Sequence, residues 1–138
     1  MELRPILLDT NAYTALTRNV TDAVEMIKYV PSVHFNSVIL GELLAGFATG
    51  SKESDNKAKL NYFLEIDKVK CLPIDPVTSE FYALVYRDLR QKGRPIPTND
   101  MWIAATALQY NLALFSYDRH FQVVEGLVVG SCIADFSA

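Results

Sequence analysis

Four carboxylates stand where apolar sequence makes a charge hardest to explain. Asp100 opens "NDMWIAATAL", and Ile103, Ala104, Ala107 and Leu108 follow it at the spacing of one helical stripe. Glu42 lies inside "NSVILGELLAGF", on a helix expected to be capped by Ser37, with Ile39, Leu43, Gly46 and Phe47 as its stripe neighbours. Asp9 follows "PILL", and Asp118 follows "LALFSY". Three of these have ordinary readings. Asp100 in a first turn, behind Thr98 or Asn99 as N-cap, suits the helix dipole by about 0.3–1 kcal/mol. Asp9 and Asp118 are each acceptable as turn formers or caps. Glu42 sits in the middle of a face, where the dipole does not reach. A carboxylate buried there either finds a cation or takes up a proton.

No histidine or lysine is paired with these acids in sequence, so a single explanation covers all four if they converge on a hard cation. Oxygen-only ligands select Mg²⁺, with Mn²⁺ as a substitute. Such ions polarise a phosphodiester and lower the pKa of the attacking water.

The elements that must position the acids follow from the apolar runs. "RPILLD" reads as a strand buried on both faces, "SVHF" as a second, "KVKCLPI" as a third, "LALFS" as a fourth and "GLVVGSCI" as a fifth. Helices are expected through "TDAVEMIKYV", from Ser37 to about Thr49, and through "KAKLNYFLEI" after the polar turn "GSKESDN". A further helix carries the stripe Val77, Phe81, Leu84, Val85 and Leu89 and ends at "KGRPIP", ahead of the Asp100 helix. Alternation of this kind predicts an α/β fold with a mainly parallel central sheet of about five strands. Ligands of such sheets bind beyond the carboxyl ends of the strands, where Asp9 and Asp118 fall.

A chain of 138 residues, half of them hydrophobic, is expected to form one domain, residues 1–138. The longest uncharged run, Met101 to Tyr117, is interrupted by polar residues and falls short of a membrane span of about 20. The first residues carry no signal-peptide pattern, so a cytoplasmic location is expected. Cys71 and Cys132 lack metal or redox spacing and read as buried structural thiols. His34 and His120 are too isolated to indicate a zinc site or a catalytic triad.

The chain resembles the PIN-domain ribonucleases, in particular the VapC-type toxins of toxin–antitoxin pairs. The matching stretches are "LLDTN", "SVILGELLAG", "LRQKGRPIPTNDMWIAATAL" and "SYDRHF", in the family order. The resemblance implies a three-layer α/β/α sandwich and an Mg²⁺-dependent endoribonuclease site. It places Asp9, Glu42, Asp100 and Asp118 on the family's acidic quartet as catalytic and metal-binding residues, with Asn11, Ser116 and Asn99 in support. It also implies RNA as substrate, a cognate VapB-like antitoxin and a homodimer. Two departures from the family's last motif are visible, Ser116 for a threonine and His120 for a second aspartate. Serine keeps the hydroxyl, whereas His120 removes an acidic contact to any second metal.

Other readings fit less of the chain. A phosphotransferase of the haloacid-dehalogenase type would carry Asp-x-Asp after the first strand, and Asn11 stands at its second position. A dinucleotide enzyme would need a glycine-rich loop. A non-catalytic PIN-like module binding RNA or protein would be favoured by a missing acid, and all four are present. The formal net charge of −3 argues against a nucleic-acid partner only until the four acids are set aside, which turns the balance of the remainder slightly positive. Arg87, Arg90, Lys92 and Arg94, with Arg119 beside Asp118, are candidates for a phosphate track. Cations near a helix C-terminus are the alternative account.

Overall fold

The computed structural model describes residues 3–137. Five strands, β1 (Ile6–Leu8), β2 (Val33–Asn36), β3 (Val69–Leu72), β4 (Ala113–Phe115) and β5 (Val129–Gly130), form one sheet in the order β3-β2-β1-β4-β5. Every pairing in it is parallel, with Leu7 opposite His34 on one side and Leu114 on the other. β1 and β4, adjacent strands in the sheet, are buried along their whole length. That is why they read as unbroken apolar runs.

Six helices connect the strands: α1 (Thr10–Thr17), α2 (Thr21–Tyr29), α3 (Ser37–Ala48), α4 (Glu53–Leu64), α5 (Pro76–Lys92) and α6 (Thr98–Gln109). Adjacent residues of β2 show the two faces they cover. The Phe35 ring packs edge-on against Tyr13 of α1 and Phe63 of α4, whereas Asn36, next in the strand, bonds to Thr106 of α6. Side chains of a strand alternate between faces, so α1 and α4 lie on one side of the sheet and α6 on the other. The result is the α/β/α sandwich. From β1 the chain steps outward through β2 to β3, then returns through α5 and α6 to β4 on the opposite flank. The reversal leaves a crevice beyond the carboxyl ends of β1 and β4, the switch point where open α/β sheets hold ligands.

Several local expectations are corrected. Helix α1 starts directly after Asp9, in a stretch with no stripe long enough to show it. α4 begins at Glu53, inside the segment read as a turn, and the fifth strand shrinks to two residues. α3 is capped by Asn36, whose side-chain oxygen accepts from Ile39 N, and Ser37 is already helical. α6 has Pro97 at its N-cap and no side-chain cap, so neither Thr98 nor Asn99 plays that part. Along α5, Val77 and Leu84 are exposed, and Thr78, Val85 and Leu89 face inward, because α5 packs chiefly on α6 and not on the sheet. Cys71 is exposed on the edge strand β3 and Cys132 is half-buried, so neither is a core thiol. No helix among the described residues is long and apolar enough to cross a membrane.

Candidate active site

Asp9 is the first residue beyond β1 and the N-cap of α1. Its backbone N–H donates to Phe115 O at 3.0 Å, which extends the β1–β4 ladder by one rung and fixes the carboxylate at the crevice. One carboxylate oxygen accepts from Thr10 N at 2.9 Å, the other from the Ser116 hydroxyl at 2.7 Å. The side chain is 5% exposed. Burial pushes its pKa up to about 6 despite both hydrogen bonds, and the charges of Asp100 and Glu42 push the same way.

Glu42 comes from α3, more than one turn in. Thr10 Oγ1 donates to its Oε1 at 2.7 Å and Asn99 Nδ2 to its Oε2 at 3.3 Å. The glutamate is therefore clasped between α1 and α6, and the sequence stripe that made it look buried is only partly so, since Gly46 is exposed. The orientation of α3 is set one turn earlier by Asn36. Its oxygen caps α3, and its Nδ2 donates to Thr106 Oγ1 at 2.9 Å. Thr106 donates in turn to Trp102 O at 3.0 Å, within α6. Both Asn36 and Thr106 are wholly buried. Neither stood out in sequence, because an asparagine before a helix and a threonine within one have many ordinary uses.

Asp100 enters from the first turn of α6. Burial raises its pKa, the neighbouring His120 opposes that rise, and the charges of Glu42 and Asp118 add to it. Asp118 follows β4, and Ser116 organises that end of the strand. The Ser116 hydroxyl accepts from Asp118 N at 3.0 Å and from Asn11 Nδ2 at 3.4 Å, while Asn11 Oδ1 accepts from Tyr117 N at 3.1 Å. Asn11 and Ser116 thus lock the loop after β4 against the start of α1. Asn99 takes its place through Glu42.

All four acids line one cleft of about 560 Å³, together with Thr10, Asn11, Pro97, Thr98, Asn99 and His120. Helix, strand end and loop deliver carboxylates to one place, and among the described residues no lysine or arginine lines the cleft to balance them.

His120 corrects the sequence reading, which set histidine chemistry aside. Its Nδ1 lies 2.8 Å from Asp118 Oδ1, and its Nε2 lies 2.5 Å from Asp100 Oδ2 without the alignment of a hydrogen bond. One donor atom from each of Asp100, Asp118 and His120 lies within 4.8 Å of the others. The clue was the Asp-x-His spacing of "YDRHF", which a short 3₁₀ turn over Arg119–Val123 folds back toward α6.

The basic residues do not join the cleft. Arg87, Arg90, Lys92, Arg94 and Arg119 are all exposed. Lys92 is engaged by Asp88 at 3.0 Å and Glu125 at 3.3 Å. Arg90 bonds the Tyr86 hydroxyl at 3.3 Å. Arg94 makes no ion pair among the described residues and follows Gly93, whose positive φ ends α5.

The PIN domain model matches residues 6–127, a span that contains all four acids. The chain belongs to the PIN domain family. Among relatives of this PIN chain, Ribonuclease VapC4 of Mycobacterium tuberculosis is 29% identical over 129 residues, covering 94% of this chain and 98% of that protein. Ribonuclease VapC2 of Rickettsia felis is 25% identical over 128 residues, covering 89% and 94%. The fold is shared with VapBC2 from Rickettsia felis, solved bound to a DNA fragment from its promoter, at a TM-score of 0.82 and 23% identity over 91% of this chain and 97% of that one. It is shared also with VapBC-1 from nontypeable Haemophilus influenzae, at 0.77 and 24% over 91% and 96%.

Proposed function

We propose that this PIN chain is a divalent-cation-dependent endoribonuclease acting as the toxin of a toxin–antitoxin pair. The observation that carries the reading is the cleft itself, four carboxylates from four separate segments with no lysine or arginine among them. The ribonuclease names of its relatives support RNA as the substrate.

The donor set fits a hard cation, because every residue of the quartet offers carboxylate oxygen and the cleft lacks internal neutralisation by lysine or arginine. Asp9, Asp100, Asp118 and Glu42 would hold Mg²⁺, or Mn²⁺ in its place. Bound there, the ion would polarise a phosphodiester and make water a better nucleophile. The chain's own residues prepare the place. Ser116 and Thr10 hold Asp9 in one orientation, and Thr10 and Asn99 hold Glu42, so the carboxylates need little reorganisation when a cation arrives. Arg94 and Arg119, both exposed and close in sequence to Asp100 and Asp118, would be the cations to meet phosphates of a single-stranded or looped RNA.

The structural neighbours are VapBC assemblies, which supports a VapB-like antitoxin as partner; a cytoplasmic setting goes with that reading. The apolar groove between α1, α2 and α4, bordered by exposed Tyr62 and Ile66, offers such a partner or a second copy about 530 Å³ to fill.

The test is cleavage of defined single-stranded and hairpin RNAs with MgCl₂ or MnCl₂. Asp9→Asn and Asp100→Asn should abolish cleavage while circular dichroism stays unchanged. Wild-type rates in EDTA would overturn the cation dependence. A folded wild-type chain that binds RNA and never cuts it would establish the non-catalytic module instead.

A further inference from the structure

We propose that His120 supplies a nitrogen ligand at the cation position shared by Asp100 and Asp118, turning the cleft toward Mn²⁺ and later divalent transition ions relative to Mg²⁺. The assignment rests on the reading of the cleft as a cation site and deepens it.

A carboxylate oxygen that accepts one hydrogen bond keeps a lone pair for a cation, but the four acids differ in how firmly the protein already holds them. Both oxygens of Asp9 are engaged, by Thr10 N and Ser116, and both oxygens of Glu42 by Thr10 and Asn99. Among the described residues, the carboxylates of Asp100 and Asp118 meet one side-chain donor, His120. The three side chains therefore form a separate group at one end of the cleft, with a donor atom of each within 4.8 Å of the other two. Ligand bonds of about 2 Å place donors around one ion about 3–4 Å apart, so small side-chain rotations close this group on a cation. Nε2 of His120 is buried against Asp100 Oδ2 and Nδ1 faces Asp118 Oδ1, so both ring nitrogens already point at the acids that would share the ion.

Donor chemistry decides the preference. Mg²⁺ favours an octahedral shell of oxygens and gives up water reluctantly, so an imidazole adds little to its binding. Mn²⁺ accepts nitrogen more readily, and affinity for mixed nitrogen and oxygen sites climbs further toward Ni²⁺. A histidine standing two residues after Asp118 thus changes the ion that the acids select, with no acid removed.

The full chain, stripped of metal, is titrated calorimetrically with MgCl₂, MnCl₂ and NiCl₂ as wild type, His120→Ala and His120→Asp, each checked for folding by circular dichroism. The wild type is expected to bind in the order Ni²⁺, Mn²⁺, Mg²⁺, tightest first. His120→Ala is expected to weaken Ni²⁺ and Mn²⁺ by about tenfold or more and to move Mg²⁺ far less. His120→Asp should weaken Ni²⁺ while keeping or improving Mg²⁺. Pulsed electron paramagnetic resonance of the Mn²⁺ complex should show coupling to a ligand nitrogen that disappears in both variants. Equal affinities in His120→Ala and wild type would overturn the assignment. Tighter binding of all three ions by His120→Ala would also overturn it, and would make the ring a competitor for the site. A wild type that binds none of the three would bring down the cation-site reading along with it.

Discussion

Asn36 Nδ2 donates to Thr106 Oγ1 over 2.9 Å, a fully buried bond between the end of β2 and the middle of α6. Asn36 also caps α3, so one side chain sets the angle between the helix that carries Glu42 and the helix that carries Asp100. The two helices meet again at the site, where Asn99 holds Glu42. Acid spacing in the cleft is thereby tied to a polar bond in the core beneath it.

Thr106→Val keeps the shape and removes the acceptor, leaving a buried amide N–H unsatisfied. The expected cost is about 1–3 kcal/mol in chemical denaturation. Cation affinity should fall as well, since the hold on Glu42 relaxes. Thr106→Ser keeps the hydroxyl and should restore affinity even if a small cavity lowers stability. Loss of stability with unchanged affinity would separate the bond from the site.

Asp9 makes the metal-free protein depend on pH. Its pKa is raised from 3.8 to about 6 by burial, so in the range between those values the folded state holds a proton that the unfolded state has lost. Stability from this group is complete below about pH 4, falls as pH rises through about 6, and is then flat; the total loss is about 3 kcal/mol. Asp9→Asn retains an N-cap and a partner for Ser116 without a charge. Measured in EDTA at pH 7.5, it should be more stable than wild type by an amount approaching that figure, and equal to it near pH 4. A variant less stable at both pH values would show that the carboxylate is not destabilising.

A divalent cation that binds only the folded cleft should reverse that penalty. At about 100 times its Kd it adds about 2.7 kcal/mol. Thermal melts with and without MnCl₂ or MgCl₂, at constant ionic strength, should show a rise in Tm for the wild type and a much smaller rise for Asp100→Asn. Equal rises in both would place the cation elsewhere.

How much of this was legible depends on where the constraint lies. β1, β4 and the start of α6 were readable because burial on both faces of a sheet, or on one helical stripe, writes itself as continuous apolar sequence. The four acids were conspicuous against that background, and the structure brings them to one cleft. Helix α1 was not legible: its eight residues bury little beyond Ala12 and Tyr13, and its existence depends on Asp9 as cap. His120 escaped because its partner Asp100 is twenty residues away and meets it only through the turn after β4. Asn36 and Thr106 escaped for the same reason across a longer separation. The direction of Lys92 depends on Asp88 and Glu125, a tertiary fact that charge counting cannot supply.

That last residue sharpens the test of RNA binding. If Arg90 and Arg94 contact phosphates, each contact contributes about 0.7 to the slope of log K against log salt for a single strand, so the double alanine variant should flatten the slope by about 1.4. Binding should weaken on every RNA tested, while cleavage at saturating RNA changes much less. Lys92→Ala should leave the slope nearer wild type, because its ammonium is already held by two carboxylates. Arg94 distinguishes a further possibility, since it precedes α6 and its loss could disturb Asp100 instead. In that case the maximal rate falls and the slope stays as it was. An unchanged slope together with unchanged affinity would return Arg87, Arg90 and Arg94 to the role of solvated cations near the C-terminus of α5, which the helix dipole alone accounts for.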